Sequence, residues 1–309
     1  MAYKPPNKTI ANLGDKLVTA DYPVWHPPGV TGIPISDIHA PCGYWFKDRT
    51  ASTNPPPIYR GIYASVAGLD IYLQSAGFGN FNPIGADYRL WIAMTASPQG
   101  DVYACVTNGD IYKQSGGSGA FLPLGQAALP WRAMCSAPNG DVYASTYGGS
   151  PSDIYKQTGG VGNFVALGAP NISWHGLAAD LAGNIYACEI NGTMYKQTNG
   201  AGAWNIIASG LSNCYSMCIT YTDDLYYANI NNYKIYKQTG LTGAFVQQTV
   251  EGSPSAITWT GMAAAPNGDV YACTNNNPGK IYKQTGGVGT FMDLHVNTYA
   301  WSDICAVFS

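Results

Sequence analysis

Residues 259–291 read WTGMAAAPNGDVYACTNNNPGKIYKQTGGVGTF, and this stretch decides the fold because its four short phrases recur along the chain. The phrases are Trp-x-x-Met, Gly-Asp-Val-Tyr, Ile-Tyr-Lys-Gln and Gly-x-x-Phe, and variants of each occur six times. In one copy of the first phrase, Cys214 replaces the tryptophan. The tyrosines of the third phrase follow one another at intervals of 40 to 46 residues: Tyr72, Tyr112, Tyr155, Tyr195, Tyr236 and Tyr282. A period of this length is typical of propellers and solenoids.

Each phrase has the length and composition of a short β-strand bounded by turn residues. The Pro-Asn-Gly-Asp sequences at 138–141 and 266–269 predict tight hairpins, because Asn-Gly supplies the positive φ angles that such turns need. Glycine-rich runs at 116–119, 159–162 and 286–289 predict turns of positive φ between the third and fourth strands. Four short antiparallel strands in each of six repeats predict an all-β fold, a six-bladed β-propeller of four-stranded antiparallel blades.

The apolar runs at 262–265 and 270–273 do not alternate with polar residues. Strands have this pattern when both faces of their sheet are covered. In a propeller each blade is covered by its two neighbours, so the pattern favours a propeller over a sandwich. The small residues of the Trp-x-x-Met strand predict that it lies next to the crowded central axis.

The order of the phrases predicts how the ring closes. The first repeat, residues 61–85, has the last three phrases but lacks a Trp-x-x-Met strand, whereas Trp301–Phe308 is such a strand with nothing after it. Joining the two completes a blade of one strand plus three and removes the free sheet edges of an open array. We therefore predict a propeller over 61–309, closed by the C-terminal strand.

These phrases resemble tectonin-type repeats, whose six-bladed propellers are often lectins. Because a non-repeating segment precedes the propeller, the chain is also similar to propeller proteins carried on bacteriophage tails and virions. The resemblance covers residues 61–309. It implies the propeller fold and, as an expectation, a role in binding sugars or in building a virus particle.

Residues 1–60 form a separate region without repeats. They contain 10 of the 20 prolines and only 4 of the 37 glycines, which favours an extended arm. A wholly disordered arm would have little use for large aromatic side chains, so we predict that the arm packs these on another surface, either a second subunit or its own propeller. The candidate anchoring residues are Tyr22, Trp25, Tyr44, Trp45 and Phe46.

Composition argues against several function classes. A net charge of −3 disfavours a nucleic-acid partner, and no apolar run is long enough to span a membrane. The first residues show no secretion signal. With four scattered histidines and no catalytic or phosphate-binding motif, we expect no enzyme activity, no cofactor and no metal site. The repeated Asp101, Asp141 and Asp269 are interpreted as turn residues.

Six of the eight cysteines recur at strand positions, alternating between the first and second strands of successive blades, and Cys42 and Cys214 are left over. They cannot pair within a blade, so we predict free, buried thiols in a protein assembled in a reducing cytoplasm.

Three connections between second and third strands are longer or richer in Asn and Tyr than the others, at 146–152, 229–234 and 274–280. Amide groups and tyrosine rings suit hydroxyl-rich ligands, although loop drift is the alternative. The candidate ligand-binding residues in these loops are Tyr147, Asn229, Asn231, Asn232, Tyr233, Asn275, Asn276 and Asn277.

Two repeated side chains have both a functional and a structural interpretation. Trp131, Trp174 and Trp259 could stack on sugars, or they could wedge between blades. The lysines of Ile-Tyr-Lys-Gln could bind acidic surfaces, or they could form a solvated outward row; they are Lys113, Lys156, Lys196, Lys237 and Lys283.

The preferred functional hypothesis is a non-enzymatic virion protein, assembled in the host cytoplasm. Its arm would bind other virion proteins, its propeller would be displayed for host-surface glycan recognition or decoration, and it would be homo-oligomeric in the particle. The alternatives are a soluble tectonin-like lectin and a cytoplasmic scaffold that binds protein.

Overall fold

The computed structural model describes residues 59–308, without residues 76, 78, 149–151, 212 and 255, and at Tyr59, Arg60 and Phe308 it describes the backbone only. It shows six four-stranded antiparallel sheets in a ring. The first three strands belong to blade 1: β1 (Tyr59–Val66), β2 (Ile71–Ser75) and β3 (Asn82–Pro83). Blades 2 to 4 comprise β4 (Trp91–Ala96), β5 (Val102–Val106), β6 (Ile111–Gln114) and β7 (Leu122–Pro123); β8 (Trp131–Ser136), β9 (Val142–Thr146), β10 (Ile154–Gln157) and β11 (Val165–Ala166); β12 (Trp174–Ala179), β13 (Ile185–Glu189), β14 (Met194–Gln197) and β15 (Trp204–Ala208). Blades 5 and 6 comprise β16 (Cys214–Ile219), β17 (Leu225–Asn229), β18 (Lys234–Gln238) and β19 (Val246–Gln247); β20 (Trp259–Ala264), β21 (Val270–Thr274), β22 (Ile281–Gln284) and β23 (Met292–Asp293). The last strand of the chain is β24 (Trp301–Phe308).

The ring closes as the sequence predicts. β24 pairs antiparallel with β1, from Val66 opposite Trp301 to Tyr59 opposite Phe308, and the sheet order of blade 1 is β24-β1-β2-β3. The C-terminal strand thus becomes the inner strand of blade 1. The predicted anchoring residues Tyr22, Trp25, Tyr44, Trp45 and Phe46 lie outside the described residues, and their role stays a prediction.

The core lies between blades, because each sheet buries both of its faces. Six clusters of buried side chains, one for each pair of neighbouring blades, include the junction between blades 6 and 1. In most blades the tryptophan that begins the inner strand meets the tyrosine of the third strand edge-on, as Trp131 meets Tyr155 with ring centroids 5.2 Å apart. The wedging role of the tryptophans is therefore confirmed.

Blade 5 keeps the fold with a different core. Cys214 occupies the tryptophan position, and Tyr227 stands where other second strands have alanine, such as Ala104. The Tyr227 ring stacks on Tyr236 with centroids 5.0 Å apart. A large residue on the second strand thus fills the volume that tryptophan fills elsewhere, and such volume-conserving exchanges are tolerated best in cores.

The propeller has two distinct faces. The "turn face" carries the connections between first and second strands and between third and fourth strands. The "loop face" carries the connections between second and third strands and those from one blade to the next. The glycine-rich sequences of the turn face each form one 3-10 turn with positive φ, such as Gly116 at 57°.

Ion pairs on the turn face correct both predictions for the lysine row. Four of the lysines pair with the turn aspartate of their own blade and are only 15–21% exposed, as in Lys113–Asp101 at 2.6 Å. The same aspartate accepts a hydrogen bond from the 3-10 turn, as Gly116 N–H donates to Asp101 at 2.8 Å. The lysines therefore connect the two hairpin ends of one blade instead of facing solvent or an acidic ligand.

Tyrosines of the second strands link neighbouring blades on this face. The Tyr103 hydroxyl donates to the Gly160 carbonyl of blade 3, and the Tyr226 hydroxyl donates to Gly287 of blade 6. In blade 4 the Tyr186 hydroxyl donates instead to Asp180 of its own blade, and the next blade has Leu241 where the other turns have glycine. The link recurs at Tyr63, Tyr103 and Tyr226, and blade 4 departs from it.

The seven cysteines among the described residues are buried and free of disulfides, which agrees with the predicted pattern. Burial raises the pKa of thiols such as Cys105 and Cys135 well above the ordinary range. They are therefore poor nucleophiles and pack as small apolar groups.

Candidate functional site: the channel mouth on the loop face

The inner strands of all six blades line a central channel with a cavity of about 180 Å³. Small side chains at the third and fifth strand positions keep it open, including Ala93, Ala133, Gly176 and Ser216. The channel is the concave feature that the six inner strands create around the axis. Binding sites concentrate in such cavities.

A bulge sets the side chains at the loop-face mouth of this channel. In blades 2 to 6 the pairing of first and second strands shifts between the first and third positions of the inner strand, as between Trp131 and Ala133. The second position is left outside the regular ladder, and bulges of this kind redirect side chains. The residues at this position differ in every blade: Ile92, Arg132, His175, Tyr215, Thr260 and Ser302.

Three of these side chains contact one another across blades 3, 4 and 5. Arg132 Nε–H donates to His175 Nδ1 at 3.4 Å, and the Arg132 guanidinium lies 4.2 Å from the centroid of the Tyr215 ring. The centroid of the His175 ring lies 4.8 Å from that of Tyr215 in blade 5 and 4.7 Å from that of Tyr147 in blade 3. We call Arg132, His175, Tyr215 and Tyr147 the mouth cluster.

The protonation state of His175 follows from its surroundings. Burial and the nearby Arg132 charge lower its pKa to about 3, so the ring is neutral at physiological pH. Because Nδ1 accepts the hydrogen bond from Arg132, the remaining ring proton lies on Nε2. His175 therefore presents an N–H donor on the side away from Arg132.

Asp303 lines the same channel from blade 1. Its carboxylate accepts a hydrogen bond from Met94 N–H at 2.7 Å, and a Cβ on Gly261 of blade 6 would collide with it. Burial raises the pKa of Asp303 to about 7, although the backbone N–H groups of Met94 and Ile304 and the charge of Arg132 act in the opposite direction. This carboxyl group connects blades 2, 1 and 6 at the axis.

The three predicted loops do lie on one face, since each joins a second to a third strand. Tyr147 is 44% exposed and belongs to the mouth cluster. Asn231, Asn232, Asn275 and Asn277 are exposed, and Tyr233 is half-buried. These residues can meet a ligand that approaches the loop face.

Two of the predicted asparagines organise their own loops. Asn229 is buried, donates to the Leu211 carbonyl, and accepts hydrogen bonds from the N–H groups of Asn231 and Asn232. Asn276 accepts from Thr258 N–H at 2.7 Å and donates to the Ala256 carbonyl. Both amides are engaged in holding loops in place.

The predicted tryptophans lie in the cores between blades. Trp131, Trp174 and Trp259 are at most 2% exposed, and Trp131 and Trp174 donate their indole N–H groups to loop carbonyls. No face of these rings is open to a sugar in this structure.

Arg132, His175 and Tyr215 are absent from the sequence-based candidates, although one signal could have revealed them. Each directly follows the first residue of the Trp-x-x-Met phrase, a position that varies among otherwise similar copies. Variation at one position of a repeat is where blade-specific chemistry would be expected.

Comparisons of the sequence itself give no match. No protein family model matches this sequence, and no curated protein matches it. No helix among the described residues is long and apolar enough to cross a membrane.

Solved structures share its architecture. A chain in the crystal structure of a nidogen/laminin complex is 11% identical with a TM-score of 0.61, and the match covers 80% of this chain and 98% of that one. A Bacteroides caccae protein of unknown function is 13% identical with a TM-score of 0.60, covering 81% and 99%. A putative TolB from Agrobacterium tumefaciens is 12% identical with a TM-score of 0.58, covering 82% and 98%. These comparisons do not show the resemblance to tectonin or phage proteins; at such identities they show that the chain has the fold of a six-bladed β-propeller.

Proposed function

We propose that this chain is a non-enzymatic binding protein that recognises its ligand with the loop face of the propeller. The observation that carries the proposal is the contrast between repeated and blade-specific residues. The turn face repeats the same ion pair in four of the six blades, whereas the loop face presents a different residue from each blade at the channel mouth. Rigid scaffolds that carry varied loops commonly place recognition on those loops.

The exposed groups of this face favour a hydroxyl-rich ligand such as a glycan. Tyr147 offers a partly exposed ring, and Asn231, Asn275 and Asn277 offer amide groups in the neighbouring loops. Aromatic rings pack on apolar sugar faces, while amides both donate and accept hydrogen bonds. A protein partner for the same face is the second candidate, because propellers also serve as scaffolds.

A loop exchange tests the use of this face. Residues 147–152 would be replaced by the shorter connection of blade 2, residues 107–109, and wild type and variant would be compared on a glycan array. The matched control exchanges the turn at 138–140 for that at 98–100 on the turn face. We expect binding to be lost only in the loop variant. Binding that survives the loop exchange, or no glycan binding by the wild type, would reject the glycan proposal.

A finer part of the proposal is that the protein belongs to a virus particle and that residues 1–60 anchor it there. It is supported by the proline and aromatic composition of that segment. The test is to delete residues 1–60 and to measure, by mass spectrometry of purified particles, whether the chain is still incorporated. Incorporation of the truncated chain would contradict an anchoring role.

A further inference from the structure

The mouth cluster contains a buried cation without a counter-charge. Arg132 is 9% exposed, and its Nη2 has no hydrogen-bond partner among the described residues. None of the ion pairs found in that part of the chain involves Arg132, so even Asp303 in the same channel is not paired with it. Leaving a buried guanidinium unpaired is costly, because its lost hydration is not replaced.

A second buried donor lies beside it. His175 is 7% exposed, and its Nε2, which carries the ring proton, also lacks a partner among the described residues. The Nε–Nδ1 hydrogen bond holds the arginine and histidine against each other. The cluster therefore presents two unsatisfied donors, one of them charged.

One group of the other unpaired buried atoms among the described residues belongs to the repeat. The side-chain oxygens of Gln74, Gln114, Gln157 and Gln197 occupy one equivalent position in four blades, so they belong to the repeat. Arg132 does not, because the equivalent residues in blades 2, 6 and 1 are the uncharged Ile92, Thr260 and Ser302. The propeller thus forms without a cation at this position, and packing alone does not require one.

We propose that Arg132 and His175 bind an acidic ligand at the channel mouth through its carboxylate. A carboxylate oxygen accepts from Arg132 Nη2, a further oxygen of the ligand accepts from His175 Nε2, and the rings of Tyr215 and Tyr147 flank these contacts. A singly charged carboxylate matches the single unpaired charge of Arg132. A phosphate dianion would leave an excess negative charge in a buried site that already contains Asp303. This inference rests on the proposed use of the loop face.

Titration of the full-length chain, labelled with ¹⁵N at histidine, tests the site. The probes are glucuronate, glucose, acetate and phosphate, and the readout is the Nε2 resonance of His175. We expect glucuronate to shift this resonance saturably, with phosphate at least about tenfold weaker. Arg132→Met should weaken glucuronate binding by at least about tenfold, because it removes a charged hydrogen bond. Thermal unfolding establishes that the variant is folded.

A matched control and the pattern across probes separate the possible results. Arg89→Gln removes a cation from an exposed ion pair with Asp87 on the same face and should leave affinity unchanged. Equal affinity for acetate and glucuronate would support the carboxylate site but contradict glycan recognition. A His175 resonance that responds to no carboxylate, or an affinity unaffected by Arg132→Met, would overturn the inference.

If Arg132→Met does not fold, Arg132→Lys replaces it. This variant keeps the charge but loses the fork, so it should give a measurable loss of affinity for glucuronate. An unchanged affinity would also overturn the inference.

Discussion

The turn face and the loop face differ in how their charges are paired. On the turn face, four lysines meet four aspartates at 2.5–2.7 Å, and the aspartates also receive N–H groups from the 3-10 turns. On the loop face, the buried Arg132 has a histidine and an aromatic ring as neighbours but no carboxylate. The turn face thus pairs these charges within a blade, whereas the mouth cluster of the loop face leaves the buried charge of Arg132 without a counter-charge.

The comparison also explains why the repeated residues carry little information about function. Trp131, Trp174 and Trp259 occur at one position of the repeat because each interface between blades needs the same wedge. The mouth residues differ from blade to blade, which fits the single site proposed on the channel axis. Functional sites commonly depart from the local rules that the rest of a fold obeys.

The largest expected effect comes from removing a tryptophan ring that packs between two blades. Trp259→Ala should lower the free energy of unfolding by about 3–5 kcal/mol, because the buried ring packs between blades 5 and 6. The matched loop-face variant, Tyr147→Ala, removes a partly exposed ring and should cost less than about 1 kcal/mol. Urea denaturation measures both, and equal losses would break the distinction between the two kinds of position.

The free energy of unfolding should depend on pH because of Asp303, which lies in the channel. Its pKa is raised to about 7 in the folded state, from 3.8 when unfolded, so the native state binds the extra proton between these values. The contribution of Asp303 to the free energy of unfolding is fully present below pH 4 and is lost as pH rises through 7. Between the two pKa values the free energy of unfolding falls by about 1.4 kcal/mol for each pH unit. Asp303→Asn should flatten this slope; an unchanged slope in the variant would mean that other groups cause it.

A smaller loss is expected from the turn face. Burial pushes the pKa of Asp141 upward, but Lys156 and the N–H groups of Gly159 and Asn139 outweigh it and hold the pKa below its usual value. Asp141→Asn should therefore cost about 1–2 kcal/mol at pH 7. The cost should fall as the pH drops through the lowered pKa, where the wild type loses the same interaction. Blade 4 already has Asn184 at this position, so the fold should survive. A cost that does not change with pH would show that the ion pair contributes nothing.

The sequence was sufficient for the fold because strand phrases, turn residues and closure all repeat. It was misleading for Lys113 and its equivalents, since strand alternation does not reveal that Asp101 lies within reach of the lysine. Arg132, His175 and Tyr215 of the mouth cluster escaped prediction for another reason. They come from three blades, and the bulge that directs them to the channel has no signature of its own in the sequence.

The most direct test of the account is the free energy of unfolding of Arg132→Met, measured by urea denaturation without ligand. If the guanidinium is kept for binding, removing an unpaired buried charge should leave stability unchanged or raise it, because buried ionic groups are often replaced by apolar ones without loss. The hydrogen bond to His175 is the stabilising contact that the variant gives up. A loss of more than about 2 kcal/mol would contradict the account, since it would make Arg132 a structural residue like the tryptophans.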